Sequence, residues 1–335
     1  MFAMSLGAAG LEAETRPDPV PALGQIRLRV CACGVCRTDL HVVDGDLAPR
    51  RARIIPGHEV VGVVDQVGPG VVGIRVGDRL GAAWLAGTCG TCRYCRDGQE
   101  NLCDAPEFHG WTCDGGYAEL MLARADFCFP IPAGLSDLDA APLLCAGLIG
   151  FRAWRRACAG RRVRRLGLYG FGAAAHLLAQ LAIHHGQEVC AFVRPGDRPA
   201  ETLARDIGCA WAGGSDETPP EPLDAAIIFA PVGALVPAAL AAVRKGGIVV
   251  CGGIHMSDLP GFPYALLWEE RELVSIANLT RQDGLDYLPL AVAAGVRAHV
   301  TAYPLARAAE ALADLRAGAF TGAAVLVPAE GTSGP

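Results

Sequence analysis

Four cysteines, Cys89, Cys92, Cys95 and Cys103, stand at C-x2-C-x2-C-x7-C spacing in the segment GTCGTCRYCRDGQENLC. Closely spaced thiols followed by a longer return can wrap one tetrahedral ion. Four thiolates suit Zn²⁺, and a closed sulfur shell leaves no position for a substrate. The spacing predicts a structural zinc site, with a disulfide pair or an iron–sulfur cluster as the alternatives. Other metal donors lie in three distant segments. CGVCRTDLH carries Cys36, Arg37, Thr38, Asp39 and His41; PGHEVVG carries His58 and Glu59; APLLCAG carries Cys145. Singly, each reads equally well as core or turn. Together they offer two thiolates and an imidazole, and three protein ligands with an open fourth position form the catalytic zinc arrangement.

A third motif is the glycine turn GLYGFGAAAH, with Gly170, Gly172 and Ala175 in G-x-G-x-x-A form. It follows an apolar strand pattern and opens an apolar helix pattern, the setting in which such a turn holds a dinucleotide pyrophosphate. Gly170 permits the tight turn, Gly172 the close approach of the phosphates, and Ala175 the packing of helix on sheet.

The elements that must position these residues fall into two patterns. The first 130 or so residues are rich in Val, Gly and turn signals, and QIRLRVCACGVC, HEVVGVVDQVGPGV and VGDRLGAAW read as short strands. From about Leu148, strands alternate with helices, which predicts a doubly wound parallel sheet. The expected fold is α/β: a β-rich catalytic domain over 1–147, completed by 285–335, and a Rossmann domain over 148–284.

Composition bounds the function. The chain has 335 residues, 52% of them hydrophobic, and a net charge of −6. No long basic run suggests a nucleic-acid partner, and RRACAGRRVRR (155–165) reads as a solvated helix end and turn. The N-terminus lacks a basic signal-peptide region, and Glu12 and Glu14 interrupt it. The uncharged stretch 225–243 contains Pro231, Gly233 and Pro237, which favour a strand, a turn and a buried helix over a membrane span. Cys190, Cys209 and Cys251 sit in apolar runs like small core residues. A reducing cytoplasm and no membrane partner are expected.

In family order, the C-x-T-D-x-x-H block, GHE, VGPGV, VGDR, the four-cysteine loop, DGGYAE, APLLCAG and the glycine turn cover nearly the whole chain. The sequence resembles the zinc-dependent alcohol dehydrogenases of the medium-chain dehydrogenase/reductase superfamily, closest in style to bacterial ones, whose β-rich domain is GroES-like. The resemblance implies two zinc ions per subunit: Cys36, His58 and Cys145 around the catalytic one, and the four-cysteine loop around the structural one. It places Glu59 beside the metal as a transient ligand, and Asp39 as acceptor for the His58 ring, fixing its tautomer. It implies hydride transfer between a small-molecule alcohol and NAD(P), with zinc polarising the substrate oxygen. Thr38 and His41 would relay the proton, an imidazole suiting that task near neutral pH.

Several positions depart from the family. NAD-specific relatives carry a carboxylate at the end of the second strand; here Val193 and Arg194 stand there, and a guanidinium could pair with a 2′-phosphate. NADP is therefore favoured over NAD. Ile149 occupies the usual Thr position beside the nicotinamide, and Ala323 the place of an Arg on the pyrophosphate. Arg37 and the helix N-terminus would then carry more of the phosphate contact. Trp84 and Trp111 are expected as apolar pocket walls suited to primary alcohols, aromatic ones among them, over polyols. A homo-oligomer, tetramer or dimer, is implied by the resemblance. The competing readings are another oxidoreductase of the superfamily acting on a different carbonyl, and a non-catalytic, zinc-stabilised binding protein of the same fold.

Overall fold

The computed structural model describes residues 1–329. The chain divides into two compact units. The first comprises Met1–Cys145, Leu279–Pro289 and residues 298–329; the second comprises Ala146–Asn278 and Leu290–Arg297. The sequence reading has one return at 285. The chain instead re-enters the first unit at Leu279 and revisits the second over Leu290–Arg297. The helix Arg281–Ala293 spans the division: its residues to Pro289 belong to the first unit and those from Leu290 to the second.

The first unit is built on a seven-stranded sheet. Its path runs Val300–Pro304, Ala323–Val327, Gln25–Val35, Glu59–Val67, Arg79–Ala82, Cys128–Pro130, with Leu120–Arg124 also paired to Gln25–Val35. Pairing is antiparallel except between Val300–Pro304 and Ala323–Val327. The strand Gln25–Val35 shows why. Ile26, Leu28 and Val30 are buried while Arg29 faces solvent, the alternation of a strand with one wet face. A register shift between Val30 and Ala32 ends that alternation, and Cys33 to Val35 are all buried. The strand therefore delivers Cys36 from a fixed, enclosed end.

In the second unit six parallel strands run in the order Trp211–Gly214, Glu188–Val193, Arg165–Tyr169, Leu223–Ile228, Val243–Cys251, Glu272–Ser275. The central strands bury nearly every residue, with charge confined to their starts at Glu188 and Asp224, because both faces are covered. The uncharged stretch 225–243 resolves into the end of the strand Leu223–Ile228 and the helix Leu235–Ala242. Among the described residues no helix is long and apolar enough to cross a membrane. Within the basic cluster Arg161 pairs with Glu272, and Arg165 with Glu188 and Glu221.

Candidate active site and metal centres

The strand Gln25–Val35 runs directly into the helix Arg37–Val43, and Cys36 is its N-cap. The Cys36 Sγ accepts from Thr38 N–H at 3.5 Å, and Asp39 Oδ2 accepts from Cys36 N–H at 2.9 Å. This capping box uses a thiol where Ser or Thr is usual. It fixes the direction of the sulfur. Asp39 does more than cap: its Oδ1 accepts from Gly57 N–H at 3.2 Å and lies 3.0 Å from His58 Nδ1. One buried carboxylate thus ties the Cys36 segment to the His58 segment.

Gly57 has a positive φ of 96°, and a Cβ there would stand 2.4 Å from Tyr117 Cδ1. A Cβ on Gly115 would stand 1.9 Å from Gly57 O. The DGGYAE segment therefore closes against the His58 turn only because both positions are glycine.

One donor atom each from Cys36, His58, Glu59 and Cys145 lies within 4.8 Å of the others. His58 is fully buried, and its Nε2 has no hydrogen-bond partner. A buried ring nitrogen without a partner is costly unless it binds something. With Nδ1 held by Asp39, Nε2 is free to donate its lone pair to a metal. Burial disfavours the charged ring, but the charge and hydrogen bond of Asp39, with Cys36 beside it, outweigh that and raise the His58 pKa. The Cys145 thiol and then His58 hold the Cys36 thiol well below the ordinary cysteine range, against burial. The donor set fits a Cys₂His zinc centre with a carboxylate in reach.

Thr38 is buried, its hydroxyl 3.7 Å from Cys36 Sγ. His41 lies a turn further along the helix, its Nδ1 2.8 Å from Asp46 Oδ2. Trp84, 7% exposed, meets the His58 ring edge-on at 5.0 Å. It stacks with Phe108 at 5.0 Å and with Trp111 at 6.1 Å. Trp111 donates Nε1–H to Ala48 O at 3.1 Å and carries the Arg50 guanidinium over its ring at 5.3 Å. Phe108 escaped the sequence reading because it lies in a strand of only two residues, Glu107–Phe108, too short to show an alternating pattern. So did His109, whose Nδ1 lies 2.6 Å from Ala83 O and which burial pushes down to about 4, leaving it neutral.

In the four-cysteine loop the sulfurs of Cys92 and Cys95 are 3.5 Å apart, those of Cys89 and Cys103 3.5 Å, and those of Cys89 and Cys95 4.0 Å. A tetrahedron with Zn–S of ~2.3 Å has edges of about 3.8 Å, whereas a disulfide needs about 2.05 Å. The N–H groups of Cys92 and Cys89 point at the sulfurs of Cys89 and Cys103, both at 3.3 Å. Backbone donors, with Thr91 first, bring the Cys89 thiol down to about 6, while burial holds Cys103 up at about 11.

The alcohol dehydrogenase GroES-like domain family matches residues 22–133. A probable alcohol dehydrogenase (AdhA) of Mycobacterium tuberculosis is 47% identical over 323 residues, spanning 95% of this chain and 92% of that protein. The chain belongs to the medium-chain alcohol dehydrogenases. Among solved structures, a cobalt- and zinc-bound thermostable alcohol dehydrogenase from Pyrobaculum aerophilum superposes with a TM-score of 0.88 at 26% identity, covering 98% of this chain and 99% of that one. An acetophenone reductase from Geotrichum candidum in complex with NAD superposes with a TM-score of 0.86 at 25% identity, covering 97% and 96%.

The dehydrogenase's glycine turn fits a dinucleotide. Gly170 follows the strand Arg165–Tyr169 with φ 86°, and a Cβ on it would stand 2.7 Å from Ala230 N. Above Gly172 there is open space, and the helix Ala173–His184 starts there with no side-chain cap. Its first N–H groups are left for an anion. Ala175 is fully buried. Val193 ends the strand Glu188–Val193, and Arg194 next to it is exposed. Asp197, the nearest carboxylate in sequence, is committed to the N-cap of the helix Arg198–Ile207, accepting from Ala200 N–H at 3.2 Å. Arg37 opens its helix exposed to solvent, Ile149 is half-buried in the helix Leu148–Cys158, and Ala323 is buried at the start of its strand.

Proposed function

We propose that this dehydrogenase interconverts primary alcohols, aromatic ones among them, and their aldehydes, with NADP(H) as hydride carrier. The observation that carries the reading is the buried donor set around the unpartnered His58 Nε2. Cys36, His58 and Cys145 would hold a catalytic zinc, with Glu59 as an alternate ligand, and the four-cysteine loop a second, structural one. Zinc at the first site supplies a Lewis acid toward the substrate oxygen. A nicotinamide dinucleotide on the glycine turn supplies or accepts the hydride.

The chain's own residues do the rest. Asp39 keeps the His58 ring in one tautomer. Thr38 presents a hydroxyl that holds the proton at the substrate oxygen. His41, one helical turn on and braced by Asp46, passes that proton to solvent. Trp84, Phe108 and Trp111 make an apolar aromatic wall that suits a flat substrate and excludes water. Arg194 offers a guanidinium for a 2′-phosphate, and with Asp197 spent on a helix cap no carboxylate competes.

The test follows cofactor absorbance while the purified protein reduces benzaldehyde and hexanal with NADPH and NADH in parallel. NADPH should win by about tenfold or more, the worth of one charge-assisted contact, and benzaldehyde should be turned over. Equal rates with NADH would remove the role given to Arg194. No turnover of any alcohol or aldehyde by zinc-loaded protein would overturn the reading.

A further inference from the structure

Glu100 sits inside the four-cysteine loop, in the turn Glu100–Leu102 just before Cys103, whose N–H donates to Glu100 O at 3.1 Å. Its side chain is 10% exposed. The carboxylate spends itself entirely on one distant residue. Oε1 accepts from the Arg281 backbone N–H at 2.7 Å and from Arg281 Nε at 3.1 Å; Oε2 accepts from Nε at 2.9 Å and Nη2 at 2.7 Å. Arg281 begins the helix Arg281–Ala293. Thr280 and Asp283 form their own reciprocal cap at that helix end. The N–H of Arg281 is left over, and the cysteine loop supplies its acceptor. A carboxylate there also meets the positive end of the helix.

The guanidinium is held from other sides too. It lies 4.7 Å over the Phe127 ring, with Nη1 3.7 Å from Asp126 Oδ2. Three residues on, a Cβ on Gly284 would stand 2.4 Å from Phe129 Cε1, so the segment is pressed against the first unit's strands. Four thiolates around Zn²⁺ leave a net charge of about −2. A carboxylate in the same loop, only 10% exposed, is tolerable only with a cation on it.

We propose that the Glu100–Arg281 pair couples the metal state of the four-cysteine loop to the docking of the return segment 279–289. The loop is then a latch, and Arg281 is a positioning residue for metal and segment together. This rests on the loop holding zinc, as proposed above.

Hydrogen exchange of the zinc-loaded protein, followed in peptides spanning 88–104 and 279–289 before and after chelation, tests it. In the parent, stripping zinc should speed exchange in both segments. In Arg281→Ala, 279–289 should exchange fast with zinc still bound and respond no further to chelation. The loop should release zinc about tenfold faster, as when a group that holds a ligand-bearing segment in place is lost. Arg281→Lys should recover part of both effects, and Glu100→Gln should reproduce them if Arg281→Ala does not fold. Unchanged exchange in 279–289 of the parent after metal analysis shows the loop emptied would overturn the coupling. A parent carrying one zinc, lost on Cys36→Ser, would overturn the assignment of zinc to the loop itself.

Discussion

Asp39 concentrates the chemistry of the first site in one carboxylate. It caps the helix carrying Thr38 and His41, binds the Gly57 amide and faces His58 Nδ1. Asp39→Asn keeps the shape but removes the charge that steadies the ring. Zinc affinity of the catalytic site should fall by about 10- to 100-fold, with kcat/KM falling alongside, as read by titrating the stripped protein with zinc. An unchanged affinity would reduce Asp39 to a helix cap. Residue types made Cys36, His58 and Cys145 readable as metal donors. Their mutual distances were not readable, because they depend on Gly57 and Gly115 admitting a backbone-to-backbone approach across 58 positions of sequence. Phe108 was hidden for a related reason. A strand of two residues, Glu107–Phe108, has no period to betray which way its aromatic side chain faces.

At the scale of elements, the alternation of strands and helices after Leu148 was legible, since buried parallel strands are apolar along most of their length. The tie between strand starts was not. Asp224 Oδ2 accepts from the N–H groups of Arg164 and Arg165, each at 2.8 Å, and Oδ1 accepts from Arg244 Nε at 2.6 Å. It joins the start of the strand Arg165–Tyr169 to its neighbour Leu223–Ile228. Burial pushes its pKa up, but Arg244 and the two amides outweigh that and lower it. A carboxyl lowered on folding stabilises above its unfolded pKa and loses that contribution as pH falls through the folded one. Asp224→Asn should cost about 1–3 kcal/mol near neutral pH, and the gap should narrow below about pH 4. Urea unfolding at both pH values checks this; a gap independent of pH would assign the effect to shape alone.

For the molecule as a whole, two units divide the labour. The β-rich one gathers both sets of metal donors, and the doubly wound one supplies the glycine turn and Arg194. The motif order along the chain revealed that division. The detailed path of the return did not show in sequence, because Glu100 and Arg281 are 181 residues apart and each looks like an ordinary surface charge. The proposed chemistry depends on an open metal site at Cys36, His58 and Cys145. The most direct measurement compares zinc content and benzaldehyde reduction in the same preparations of parent and Cys145→Ser. The parent should hold about two zinc ions per chain, and the variant should hold about one and lose turnover by about a thousandfold or more. A variant that keeps both its second zinc and its turnover would contradict the account.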